Sequence, residues 1–230
     1  MPSQQLLQPH PTTDVQPDPE GLRPAGWLLV AGALVSLGAG ATPSMYPIYT
    51  SQTPQRFLEL VADRSTTWVG VHLAFLAGAV LTSLGLAALT SALANSRARA
   101  LATIGLTVFL LATPIRVLQT IFAATVTVTA ADQTTHSGVV PPTYQLLDGF
   151  LWGQPNWTLT VFIALTGIGL ATYGAALLAS RWLARWLGWT FVVGGLLLTL
   201  SVIAFGDGPP EAVALPLLLG GILALRHTKP

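Results

Sequence analysis

Few polar side chains stand inside the apolar runs of this sequence, and Arg116 is the foremost. A guanidinium near the centre of a bilayer is costly, so its surroundings matter. On a helix Gly105, Phe109, Ala112, Thr113, Thr120 and Ala123 share its face, with Gln119 at the edge. Leu106, Leu110, Val117, Leu118, Ile121 and Phe122 lie on the other side. Pro114 removes a backbone donor just before it and favours a kink. At 1.5 Å per residue, Arg116 lies ~25 Å along a helix that starts near Arg99, in the outer leaflet. His72 begins about one turn inside the outer end of the preceding span, so the two can share a level.

This placement points to an outward-facing polar pocket. Arg116 and His72 would form its floor, and Gln119 and Thr120 would add hydrogen-bonding groups. Asp148, Glu59 or Asp63 would stand at its mouth. A planar guanidinium suits an anionic head group, whether carboxylate or phosphate. The plainer readings are an Arg–acid pair that fixes helix positions, an Arg snorkelling to the interface, and a hydrogen-bonded interfacial His.

Other chemistries find no support in the sequence. Cys is absent, which excludes disulfides, thiolate metal sites and a Cys nucleophile. Of the four His, only His72 lies in a span, so a haem held by two His is not expected. Zinc would need His72, His136, Asp132 and Asp148 to converge, which requires the 131–156 loop to fold back. HExxH, GxSxG, Walker A and GxGxxG motifs are all missing. No cofactor is implied.

The elements that must position these residues follow from composition. Charged residues make up 8% of the 230, hydrophobic residues 52%, and the mean hydropathy is +0.63. A soluble domain carries about 25% charged residues. The formal net charge of +1 offers no basic surface for nucleic acid. The fold expected is an all-α polytopic membrane bundle of six transmembrane helices, near 24–42, 66–93, 98–122, 157–180, 183–205 and 209–226. The third could run on to Ala130, and the sixth is short and contains Pro216. Residues 1–23, rich in Pro and Gln, read as a disordered cytoplasmic tail, and 227–230 as a second tail.

One side of this layout receives Arg23, Arg97, Arg99, Arg181, Arg185, Arg226 and Lys229, and the other Arg56 and Arg64. Both termini are therefore expected in the cytoplasm. The seven Trp fall near the two interfaces. In the outer loop 43–67, a short surface helix is expected after Thr53 and Pro54, with Phe57, Leu60 and Val61 on its apolar side. The 131–156 connection reads as a loop that holds the Trp-rich segment DGFLWGQPNW.

Small residues recur at four-residue spacing in Gly32–Ser36–Gly40, Gly70–Ala74–Gly78–Thr82 and Gly167–Ala171–Ala175–Ala179. They suit packing within the bundle or a homodimer seam. The long loop after the first span has no counterpart in the second half, and no inverted repeat is evident.

The segment ALLASRWLARWLGWTFVVGGLLLTL, with the Arg in the third span and the closing EAVALPLLLGGILAL, resembles a bacterial six-span membrane family of unknown function. The resemblance implies topology over about 24–226 and no reaction. High Ala and Arg with a single Lys fit a GC-rich bacterium and its cytoplasmic membrane. The function expected is non-catalytic binding of membrane lipid, an anionic amphipathic ligand or a membrane partner. A small transporter subunit and an enzyme acting on a lipid head group are the alternatives.

Overall fold

A computed structural model describes residues 19–51, 53–93, 96–151, 157–180, 185–205 and 213–227. These are helical almost throughout, and among them there is no strand. The elements are α1 (Pro19–Gly40), α2 (Tyr46–Tyr49), α3 (Pro54–Asp63), α4 (Ser65–Ala92), α5 (Ser96–Ile121), α6 (Val128–Ser137), α7 (Pro142–Leu151), α8 (Trp157–Ser180), α9 (Arg185–Phe205) and α10 (Ala214–His227). Five helices are long and apolar enough to cross a membrane: α1, α4, the continuous α5–α6 rod, α8 and α9. This is the make-up of a multi-pass membrane protein. α10 is shorter, with 14 residues. Pro216 falls in its first turn, where a missing N–H breaks no helical bond.

Three features differ from the sequence reading. α1 begins at Pro19 rather than near 24, and Leu22 is already buried. The third span does not stop near 122. A π-helical turn, Phe122–Thr127, carries it into α6, which ends at Gly138 in the left-handed conformation (φ 70°). The stretch expected to be a loop after residue 131 is mostly α6 and α7. Trp152 and Trp182 lie outside the described residues.

α3 starts as its sequence dictates: Pro54 is at the first position and the Arg56 N–H donates to the Thr53 hydroxyl at 3.3 Å. It is more than a surface helix. Leu58, Leu60 and Val61 are buried, and α3 packs on α6. Met45, Ile48, Phe122, Ala131 and Tyr144 join them in one apolar cluster. α2, α3, α6 and α7 thus cap one end of the bundle, called here the capped end.

Below the cap the helices form two layers of three. α1 packs between α4 and α10, and α8 packs between α5 and α9. The contacts within each layer are set by glycines, which let backbones approach closely. A Cβ on Gly26 would lie 2.9 Å from the Gly221 carbonyl oxygen, and one on Gly105 2.9 Å from that of Gly169. Gly32 meets Gly78, and Gly167 meets Gly195. The small-residue stripes therefore serve the inside of the bundle at Gly32, Gly78 and Gly167, whereas Gly70 faces open space.

Between the layers runs a seam. At the end opposite the cap it is filled by Tyr173 and Phe191, both fully buried. The Tyr173 hydroxyl donates to the Leu86 carbonyl at 3.0 Å and lies 3.1 Å from the Thr90 hydroxyl, which ties α8 to α4. Phe191 reaches Gly220 of α10.

Candidate functional site

Toward the capped end the seam opens into a cavity of about 60 Å³. Ser36, Phe75 and Thr82 line it from one layer, and Arg116, Phe162 and Thr166 from the other. Room of this size holds roughly four to six waters, or one small anionic group. Arg116 is buried on α5, along the face that carries Gly105, Phe109, Ala112 and Thr120, while Leu110, Leu118 and Ile121 are exposed. Its guanidinium carbon sits 4.5 Å from the centre of the Phe75 ring and 5.6 Å from that of Phe162. It is held between aromatic rings supplied by the two layers, which favours the charge electrostatically. One guanidinium nitrogen donates to Gln119 Oε1 at 3.4 Å, and the Gln119 amide reaches the Thr158 hydroxyl at 3.5 Å. Gln119 therefore positions Arg116 rather than lining the cavity.

His72 lies within electrostatic reach of Arg116 but lines neither this cavity nor the outer one described below. Its ring packs 4.2 Å from the Trp68 ring, and its Nδ1 is 2.9 Å from the Trp68 carbonyl oxygen. Thr120 donates to the His72 carbonyl at 3.5 Å. Trp68 is no interfacial belt residue: it is 3% exposed. Its indole N–H donates to the Ala123 carbonyl at 2.9 Å, inside the π turn. Such a turn displaces carbonyls from the regular ladder, and here a side chain from α4 takes one up.

Beyond Trp68, under the cap, is a second cavity of about 310 Å³. Tyr49, Phe57 and Trp68 wall one side; Thr127, Tyr144 and Asp148 face them. Tyr144 donates to Asp148 Oδ1 at 3.0 Å. Burial pushes the Asp148 carboxyl above its ordinary range, and the bond from Tyr144 partly offsets this. Burial and the neighbouring carboxylate push the Tyr144 hydroxyl up as well.

The residues expected around one pocket are thus divided. Arg116 lines the seam cavity and Asp148 the outer one, with Trp68 and His72 between them. Thr120 bonds to His72, and Gln119 bonds to Arg116 and to Thr158 of α8. Glu59 and Asp63 line neither cavity. Glu59 pairs with Arg56 at 3.2 Å on the exposed side of α3, and Asp63 is exposed. His136 sits 3.5 Å from Asp132 on α6, also exposed. Among the described residues no three His, Asp or Glu gather as metal ligands.

Sequence reasoning did not find Phe75, Phe162 or Tyr144. Phe75 stands one turn beyond His72 on the same helix, a spacing that could have indicated it. Phe162 and Tyr144 come from distant elements and carry no local signal. Neither family models, curated proteins nor solved structures yield a match to this chain.

Proposed function

We propose that this chain is a six-span protein of a bacterial cytoplasmic membrane, with both termini in the cytoplasm, that binds the anionic head of a small or amphipathic ligand at Arg116. The observation that carries this reading is the guanidinium on the wall of a seam cavity, fixed by Gln119 and two aromatic rings. A guanidinium in low-dielectric surroundings attracts a carboxylate or phosphate more strongly than it would in water. The apolar walls around it suit a short hydrocarbon portion.

Charge supports the orientation. Arg56 and Arg64 lie on the capped side, whereas Arg23, Arg97, Arg99, Arg185 and Arg226 gather at the opposite end. The capped end would then face outward. α10 as the sixth span would need flanking residues to complete the crossing at 14 residues, or a locally thinned bilayer.

The enzyme alternative has less in its favour. His72 is covered by Trp68 and bonded to backbone, so it is poorly placed to serve a substrate as acid or base.

Native mass spectrometry of the protein released from its own membranes tests the reading, beside an Arg116→Gln variant. A bound anion present in the first and lost from the second is the result expected. Equal spectra from two equally folded proteins would reduce Arg116 to a packing residue.

A further inference from the structure

We infer that the chain is two oppositely oriented three-helix halves, and that its Arg116 cavity is the binding site of an alternating-access carrier for small organic anions. The inference rests on the anion-binding reading above and adds movement to it.

The halves are α1–α4–α5 and α8–α9–α10. α1 runs toward the capped end. α5–α6 ends there and α8 starts there, so α8 runs away from the cap and the second half is inverted. The packing repeats with the order. The first helix of each half lies against the second helix of its own half and the third helix of the other: α1 against α4 and α10, α8 against α9 and α5.

Individual contacts repeat too. A Cβ on Gly32 would meet the Gly78 carbonyl and the Thr82 hydroxyl, and one on Gly167 would meet the Gly195 carbonyl and the Thr199 hydroxyl. The Gly-x-x-x-Thr spacing is the same in α4 and α9. Ser36 abuts Gly78 as Ala171 abuts Gly195. The insertion of α2 and α3 into the first half conceals this correspondence in the sequence.

Two equivalent, inverted halves imply two equivalent ways of arranging the seam. In this structure the seam widens into the Arg116 cavity toward the cap and is closely packed at the other end. Exchanging the conformations of the halves would pack the capped side and widen the other, with Arg116 in between. In inverted-repeat membrane proteins generally, the substrate site lies at such a repeat interface. Opening that end would part Tyr173 from Leu86 and Thr90, and Phe191 from Gly220, within the apolar cluster around them. The cavity's size and its single guanidinium fit a small carboxylate or sulfonate.

The test uses the full chain and ethanesulfonate, a permanent anion that does not leak across bilayers as a free acid. Binding is measured by equilibrium dialysis of the purified protein. Transport is measured as exchange of labelled for unlabelled ethanesulfonate in proteoliposomes. Expected are exchange well above protein-free vesicles and binding weakened at least about tenfold in Arg116→Gln, the scale of one charge-assisted hydrogen bond.

The natural chain has no Cys, so single Thr166→Cys and Thr90→Cys variants report the two ends of the seam. A membrane-impermeant thiol reagent should reach Thr166→Cys from one side and Thr90→Cys from the other, with rates shifted in opposite directions by ethanesulfonate. Binding without exchange, and Thr90→Cys unreactive from both sides, would overturn the carrier and leave the binding reading intact. Absence of binding by the folded protein would overturn both. Exchange that survives in Arg116→Gln would overturn the site.

Discussion

The two ends of the inter-layer seam are built from the same kinds of helix and end differently. Away from the cap, Tyr173 and Phe191 fill the space and one hydroxyl finds its partners on α4. Toward the cap, Arg116 occupies the corresponding zone, and its flat charged group lies between Phe75 and Phe162 without filling it. Apolar side chains interdigitate to near-crystalline density, whereas a guanidinium must keep its donors directed and its faces on rings. A charge in the seam therefore goes with a cavity. The difference between the ends is one of residue chemistry imposed on a repeated scaffold.

The comparison breaks most severely at Tyr173. Tyr173→Ala would hollow the sealed end and cost about 3–5 kcal/mol, as large-to-small core changes of aromatic residues do. Thermal unfolding in detergent measures it, and an unchanged midpoint would show that the end is not sealed by packing. Next come the glycines that hold each layer. Gly195→Val places atoms on the Gly167 carbonyl and should cost about 1–3 kcal/mol, while Gly70→Ala, in open space, should change stability by less than about 1 kcal/mol in the favourable direction. Equal effects at the two positions would refute glycine-set packing.

Trp68→Phe sharpens the contrast from the capped side. It keeps the ring beside His72 but leaves the Ala123 carbonyl without its indole donor, a loss of about 1–3 kcal/mol felt locally. Faster hydrogen exchange in 122–128 with little change in α9 is the expected pattern. The smallest effect concerns Asp148. Its folded pKa is raised, so its contribution to stability is present at low pH and is lost as pH rises through the raised value. The α7 amides should exchange faster at neutral than at acidic pH after correction for intrinsic rates, and Asp148→Asn should flatten that difference.

Much of this was legible in the sequence. Helical period alone placed Arg116, Gly105, Phe109 and Ala112 on one face, opposite Leu110, Leu118 and Ile121, and the burial agrees. Phe122 departs from its assigned outer face because the cap covers it with Tyr144. The π turn escaped notice because neither Gly nor Pro marks it, and its stabilising partner, Trp68, is far away in the chain. The single pocket expected from shared depth became two cavities, since depth along a helix does not specify what large ring stands between. The repeat escaped as well, because only a few small residues carry it and α2 and α3 interrupt its spacing.

The place of α10 beside α1 has a consequence for biosynthesis. α1 and α4 can pair as soon as both have left the translocon, but the other flank of α1, with Gly26, waits for Gly221 on α10. Until then the nascent first layer exposes an unmatched groove to lipid and to quality-control proteases. Premature termination before α10 would therefore be punished at α1.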